Sequence, residues 1–341
     1  MTIPLSDYDF PFPEELIASE AAEPRDSARL MAVDRASGGW THRVFRELPQ
    51  LLRPGDCVVL NKTKVMSCRL IGRKKTGGKA DLLLVKELEP GVWAALASGL
   101  KRGGGLEFAD GLAAQVEGVN EAGEYVVRFN STDLQGHFER HGLAPLPPYI
   151  AKKRAPRDSD RQRYQTVYAQ HQGSIAAPTA GLHFTEGVLA ALRERGVELA
   201  YVTLHVGRGT FRPITADDAA RHEMLPEWYR LDERDAGVIA RAKASGGRVV
   251  SVGTTTTRTL ETLAARPEGF GAGEGWTSLY ITPGRPFALI GGLITNFHLP
   301  KSTPLLLAAA FLGREKLLDA YREAFAMRYR LYSFGDAMLI L

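Results

Sequence analysis

The feature that most constrains this chain is a change of texture along its length. Between about residues 56 and 130, apolar residues come in short runs, at 57–60, 68–72, 80–85, 92–97, 113–119 and 125–129. Turn-forming groups separate them: Thr76-Gly77-Gly78, Glu89-Pro90-Gly91, Gly103-Gly104-Gly105, Asp110-Gly111 and Glu121-Ala122-Gly123. Short strands at such spacing predict a small antiparallel barrel or sandwich. After about Pro156 the texture becomes an alternation of helix and strand. A helix is expected from near Thr185 to Gly196, with Val188, Leu189 and Leu192 on one face. A strand over 197–206 follows, then a helix with Asp232 as N-cap and Asp235 three residues on, ending before Gly246-Gly247. Next come a strand over 248–252, a threonine-rich loop, and a helix through Leu260 and Leu263. Thr303 and Pro304 open a later helix as N-cap and first helical residue. Such alternation predicts a parallel or mixed sheet with helices packed on it.

Composition sets outer bounds. A chain of 341 residues is long enough for about two domains, and 44% hydrophobic residues supply a sizeable core. A net charge of +4 permits a nucleic-acid partner without requiring one. Two cysteines, Cys57 and Cys68, suit neither a disulfide framework nor a structural zinc site, which favours a reducing compartment. The first fifteen residues carry Asp7, Asp9, Glu14 and Glu15 and no basic residue, so no signal peptide is expected. The most apolar later stretch, 305–312, is too short to span a bilayer. A cytoplasmic chain with no membrane partner is therefore expected. His222-Glu223 with Glu227 lacks the histidine pair of a zinc protease, so no metal is assigned.

Several segments carry groups suited to chemistry, each with a plainer explanation beside it. Residues 142–163 read as an exposed connector, with Pro145, Pro147 and Pro148 followed by Lys152, Lys153, Arg154, Arg157, Arg161 and Arg163. Its cations suit phosphate contact, and Tyr149 and Tyr164 could stack on bases; a solvated linker explains the same charges. Residues 176–185 bring small side chains, Thr179, His183 and Phe184 to a helix start, where a ligand can approach the backbone and His183 can move protons. A tight loop with a packed histidine is the alternative. Residues 203–212 follow a strand and hold His205, Arg208 and Arg212; the arginines suit a carboxylate or phosphate, and a core histidine with surface arginines is the competing account. Residues 252–258 form strand, loop and helix, with Thr254 to Thr257 offering hydroxyls to an anion, or simply capping the helix. Asn296, Phe297, His298 and Lys301 precede the Thr303-Pro304 helix, and Asp336 sits beside Gly335 between aromatic neighbours.

Together these segments resemble the S-adenosylmethionine:tRNA ribosyltransferase-isomerase family of queuosine biosynthesis. The similarity runs nearly end to end, through Arg25-Asp26-Ser27-Ala28-Arg29-Leu30, Pro54-Gly55-Asp56, Val59-Leu60-Asn61, Pro145-Leu146-Pro147-Pro148-Tyr149-Ile150 and Tyr164-Gln165-Thr166-Val167-Tyr168-Ala169. Its most specific segments are 176–184, 203–211, 295–303 and 333–338. Three positions depart from the family pattern: Lys62-Thr63-Lys64 replaces an Asp-Thr-Arg run, Leu225 a second histidine, and Ala151 an arginine. They keep open a homologue with altered activity, or an inactive RNA-binding one.

The resemblance implies a larger mixed α/β domain, residues 1–60 and 151–341, carrying an inserted antiparallel β-barrel, residues 61–150. It implies two substrates, S-adenosylmethionine and a tRNA with 7-aminomethyl-7-deazaguanine at the wobble position. The products are epoxyqueuosine-tRNA, adenine and methionine. S-adenosylmethionine is consumed, no resident cofactor is expected, and a monomer is expected. Within that frame His183, His205 and His298 form the expected proton-handling pool, with His222 in reserve. Asp336 and Glu227 are expected to orient an imidazole or offset the sulfonium charge. Arg212 with Thr254 and Thr255 would hold the methionine carboxylate, Phe184 or Phe297 would stack on a base, and Thr179 and Asn296 complete the substrate-binding set. Lys152, Lys153, Arg154 and Arg157 are the expected tRNA contacts.

Overall fold

A computed structural model describes residues 2–207, 209, 214 and 217–341. The chain divides into two units. One comprises the residues up to Lys64, Gln165–His171 and those from Ala177 onward; the other comprises Val65–Tyr164 and Gln172–Ala176.

The larger unit is built on a nine-stranded mixed sheet in the order Gly273–Thr277, Glu227–Leu231, Glu198–Leu204, Cys57–Asn61, Val249–Val252, Gly292–Asn296, Ala337–Ile340, Arg29–Val33, Trp40–Val44. The four strands from Glu198–Leu204 to Gly292–Asn296 run parallel to one another. Cys57–Asn61, Val249–Val252 and Gly292–Asn296 are buried at every position. Their sequences are largely apolar rather than alternating because both faces are covered, and the polar residues they hold, Asn61, Ser251, Thr295 and Asn296, are buried too. The 57–60 run thus belongs at the centre of this sheet and not with the short strands that follow it. Ala337–Ile340 returns antiparallel beside Gly292–Asn296 and then pairs in parallel with Arg29–Val33.

On one face, Val58, Leu60, Val250, Val252, Ile294 and Leu339 meet Phe45, Phe184, Val188, Leu189 and Leu192. Those strand positions are two apart, as a pleat requires, and the helix positions match the stripe read from sequence. The helix Glu186–Glu194 starts at Thr185, whose hydroxyl accepts from the Val188 N–H at 3.2 Å. The Thr303–Leu312 helix is capped one residue earlier than expected, by Ser302, which leaves Thr303 as its first helical residue. Leu305 to Ala309, Phe311 and Leu312 are all buried, so this helix is apolar around its whole circumference because it lies inside the unit. Among the described residues no helix is long and apolar enough to cross a membrane.

The smaller unit is a closed six-stranded barrel in the order Tyr125–Phe129, Val92–Leu96, Lys79–Glu89, Arg69–Lys74, Gly105–Glu107, Ala113–Val119. Every pairing recorded within it is antiparallel. Leu70, Leu82, Leu84, Trp93, Ala95, Leu106, Val116 and Val127 fill its interior. Gly91 turns the chain at φ +75°, where a Cβ would stand 2.7 Å from the Ser131 carbonyl oxygen, so the hairpin needs glycine there. The strand Gly105–Glu107 gave no periodic signal because it is short and starts on the last of three glycines.

Residues 151–164 group with this smaller unit. They are not an open connector: the short helices Pro148–Ala151 and Asp160–Arg163 bound them, and Ile150, Asp160 and Tyr164 are buried. Cys57 and Cys68 are both buried and unpaired, and burial pushes each thiol up to about 12.

Candidate active site

The polar groups singled out from sequence gather along one edge of the larger sheet, where its parallel strands end. Asn61, Val252 and Asn296 are carboxyl-terminal strand residues, and His205 directly follows a fourth such strand. Glu227 and Asp336 reach the same edge because the strands they open or precede run the opposite way. This is where α/β sheets collect ligand-binding groups, since successive loops converge there while the strands hold them rigidly.

His183 ends a 3-10 turn, Thr179–His183, and is 4% exposed. Thr179 Oγ1 donates to Asn296 Oδ1 at 2.9 Å, which directs the amide N–H of Asn296 to His183 Nε2 at 3.2 Å. Nε2 therefore accepts, and the neutral ring keeps its proton on Nδ1. Burial lowers the His183 pKa to about 4, opposed by nearby Asp336 and reinforced by Arg330 and Arg25. The ring is thus neutral at physiological pH. The small residues before it serve packing: a Cβ on Gly181 would lie 2.1 Å from the Tyr168 hydroxyl, so that glycine admits Tyr168 rather than a ligand.

The other two histidines occupy separate surroundings. His205 Nδ1 is 2.8 Å from Thr63 Oγ1, and its ring stacks on Trp228 at 5.0 Å. Burial lowers its pKa, assisted by His171. His298 Nε2 is 2.6 Å from Thr295 Oγ1, its backbone N–H donates to the Tyr321 hydroxyl, and desolvation lowers its pKa to about 3. Thr295 and Asn296 are consecutive strand residues and point to opposite faces. His298 and His183 therefore stand on opposite faces of one strand end and do not form a contact pair. His222, the reserve, lies edge-on to Tyr280 at 5.4 Å.

Both candidate carboxylates, expected to orient an imidazole or offset the sulfonium charge, are held by arginine and make no bond to an imidazole among the described residues. Glu227, 2% exposed, is ion-paired with Arg258 Nη1 and accepts the Gly207 N–H at 2.9 Å. Asp336, 1% exposed, accepts from the backbone N–H groups of Arg29 at 3.0 Å and Arg330 at 2.8 Å, and from both guanidinium groups at 3.3 Å. Buried carboxylates take the strongest donors in reach, and arginine outcompetes a neutral histidine. Asp336 acts on His183 through its field.

The threonine run is not a loop: Thr254–Ala264 is helical from its first threonine. Thr256 and Thr257 direct their hydroxyls to the Val252 and Gly253 carbonyls at 2.7 and 3.1 Å, and Thr255 Oγ1 accepts from Asn61 at 3.3 Å. Among these four, and among the described residues, Thr254 alone keeps its hydroxyl outside such bonds. Phe184 and Phe297 are both 0% exposed, enclosed by Phe45 and Tyr168 in one case and by Tyr321 and Tyr329 in the other, so neither offers a ring face to a base. Arg212, like Arg208, lies outside the described residues.

In the basic segment, Arg154 holds buried Asp160 through two bonds of 2.8 and 2.6 Å and is a structural cation rather than a phosphate contact. Lys152, Lys153 and Arg157 are exposed. Tyr164 is 1% exposed and cannot stack on a base, whereas Tyr149 is half-buried. Lys62, one of the unusual residues, is buried between Asp232 at 3.0 Å and Asp235 at 3.6 Å. Its ammonium also explains why Asp232, although at a helix N-cap position, makes no side-chain cap.

Sequence reasoning passed over Asn61, the hub of the edge. Its amide donates to the Leu204 carbonyl at 3.0 Å and to Thr255, while its oxygen accepts the N–H groups of Thr63 and Leu204 at 3.1 Å. A lone amide closing an apolar strand was the available signal. Arg29, Arg258 and Arg330 were missed because nothing local distinguishes an arginine that reaches a buried carboxylate from one in water.

A mixed α/β scaffold with imidazoles, amides and hydroxyls gathered at its strand ends, beside a barrel unit, has the architecture of an enzyme that binds its substrate beyond those strand ends. A family described as queuosine biosynthesis protein matches residues 5–340. The S-adenosylmethionine:tRNA ribosyltransferase-isomerase of Thermus thermophilus is 51% identical, with 99% of each chain covered, and that of Symbiobacterium thermophilum is 49% identical at the same coverage. The crystal structure of S-adenosylmethionine tRNA ribosyltransferase from Thermotoga maritima matches with a TM-score of 0.58 and 37% identity, covering 98% of this chain and 100% of that one. The chain belongs to the S-adenosylmethionine:tRNA ribosyltransferase-isomerase family of queuosine biosynthesis.

Proposed function

We propose that the chain transfers the ribosyl group of S-adenosylmethionine to 7-aminomethyl-7-deazaguanine at the tRNA wobble position and isomerises it there, yielding epoxyqueuosine-tRNA, adenine and methionine. The observation that carries this reading is about half identity to proteins of that name over essentially the entire chain, so both units are included.

The chemistry suits the residues. A sulfonium acidifies the adjacent ribose carbon and later makes methionine a good leaving group, so the substrate brings its own activation and no resident cofactor is invoked. The protein must accept that proton, return one to departing adenine, and hold both substrates in line. His183 suits positioning of the departing adenine by a hydrogen bond from Nδ1–H, because its ring is neutral with the proton on Nδ1 and Asn296 fixes its orientation, while the proton adenine takes up comes from elsewhere. His205 and His298, neutral and each hydrogen-bonded to a threonine, are the complementary acceptors. Lys152, Lys153 and Arg157 are the proposed tRNA contacts. Action as a cytoplasmic monomer completes the proposal.

The test is incubation with S-adenosylmethionine and tRNA bearing 7-aminomethyl-7-deazaguanine, followed by mass spectrometry. Free adenine, methionine and a ribose-derived adduct on the wobble base are expected. S-adenosylhomocysteine in their place would show a methyltransferase instead.

A further inference from the structure

Three aromatic side chains stand in one row at the strand-end edge of the larger sheet. The His205 N–H donates to the Trp228 carbonyl at 3.0 Å, and Trp228 lies directly opposite Trp276 on the next strand. Cross-strand partners share a face of the sheet. It is the face that carries Asn296 and His183. Tyr201, four residues before His205, packs against the same apolar cluster as Ile294, two residues before Asn296.

Exposure rises outward along the row. His205 and Trp228 are half-buried, with their rings stacked at 5.0 Å and 23°. Trp276, on the outermost strand, is 63% exposed, the most exposed large apolar residue among those described. Its strand leaves both Glu274 and Trp276 exposed, so the indole adds little to the core. A large ring held in water beside a second tryptophan, at the edge where the candidate site lies, is a surface suited to a flat partner. Cations stand close to the row. Lys64 follows the Thr63 that holds His205, is exposed and forms no ion pair among the described residues. His171 is also exposed, and near enough to lower the His205 pKa. Stacking rings with cations beside them are the combination that takes up single-stranded nucleic acid. Trp276 stands two strand spacings, about 10 Å, outside His205. A base seated on it is therefore beyond the reacting position, where a neighbour of the modified base would lie.

We propose that Trp276, with the Trp228–His205 stack beside it, is the platform for an unpaired tRNA base next to the modified nucleotide, and that Lys64 meets the RNA backbone there. The assignment rests on the functional reading above and deepens it by naming the surface that takes up the RNA loop.

The experiment measures tRNA affinity by filter binding, and KM for S-adenosylmethionine from adenine release, in wild type, Trp276→Ala and Trp276→Phe. Trp276→Ala should weaken tRNA binding about tenfold, within the range for one stacked base. Trp276→Phe keeps a stacking ring and should recover most of that loss. Neither change should alter the logarithmic salt dependence, because stacking releases no counterions, whereas Lys64→Gln should reduce it. KM for S-adenosylmethionine should stay within about twofold of wild type. A fully paired RNA duplex presents no unstacked base, so all three proteins should bind it equally. An equal loss for the duplex would overturn the proposal. So would a rise confined to KM for S-adenosylmethionine, which would assign the ring to adenine. A wild-type protein that releases no adenine at all refutes the functional reading and this inference with it. Adenine release with tRNA affinity indifferent to Trp276→Ala refutes this inference alone.

Discussion

Arg258 closes onto Glu227 across 31 residues of sequence, one from a helix and the other from the start of a strand, with side chains 6% and 2% exposed. The guanidinium also donates to the carbonyls of Leu279 at 2.8 Å and Thr277 at 3.1 Å. One buried pair thus ties the Thr254–Ala264 helix to the Glu227–Leu231 strand and to the chain at Thr277–Leu279. Removing one partner leaves an uncompensated charge in a dry setting. Glu227→Ala should cost about 3–5 kcal/mol in urea unfolding. The double change Glu227→Leu with Arg258→Met should recover much of it. A loss below about 1 kcal/mol would mean that the pair is not buried in solution.

His183 makes the fold sensitive to acid. Its pKa falls from 6.5 in the unfolded chain to about 4 in the folded one, so between those values the unfolded state binds more protons. The stability it contributes is complete above pH 6.5 and is lost as pH drops toward 4. His183→Gln should flatten the fall in urea midpoint over that window while leaving the midpoint near neutral pH little changed. An undiminished slope would assign acid sensitivity to other groups, His298 foremost.

The same side chain should matter for turnover. His183→Ala should lower adenine release by at least about 10²-fold with tRNA present, the effect of losing one positioned hydrogen-bond donor at the reacting group. Asn296→Asp offers a sharper readout. A carboxylate accepts from Nε2–H, reversing the tautomer and raising the imidazole pKa, so the pH profile should shift upward as well as fall. Wild-type rates in both variants would remove this histidine from the mechanism.

The basic segment divides by geometry. Lys152→Glu and Lys153→Glu should weaken tRNA binding and reduce its logarithmic salt dependence by about 0.7–0.9 for each phosphate no longer neutralised. Arg154→Ala should act differently, lowering the melting temperature because it strands the Asp160 carboxylate, which its partner and the Arg157 N–H hold below the usual carboxylate range despite burial. Filter binding across a salt series separates the two effects. An unchanged salt slope in both lysine variants would make the segment a solvated surface.

Local chemistry in the sequence reached far into the fold. The apolar runs at 68–72, 80–85, 92–97, 113–119 and 125–129 fall on barrel strands, and the helix expected to start near Thr185 does so, with Thr185 as its cap. Such features are set by residues within a few positions of one another: pleat period, turn glycines and hydroxyl caps. Three of the segments expected to carry chemistry, opening at Thr203, Val252 and Asn296, also fell at the ends of parallel strands, because a loop after a parallel strand has no other place to go.

What the sequence by itself determined, then, is which stretches form strands and helices and which family pattern they follow. Tertiary structure alone decided which polar groups remain available. Asp336 meets Arg29 from 307 residues away, Lys62 meets Asp232 from 170, and Asn296 meets His183 from 113. A charge or hydroxyl looks the same in sequence whether its partner is a distant arginine or a substrate. Only folding brings the competing partners within hydrogen-bond reach, and the low-dielectric interior then fixes the choice.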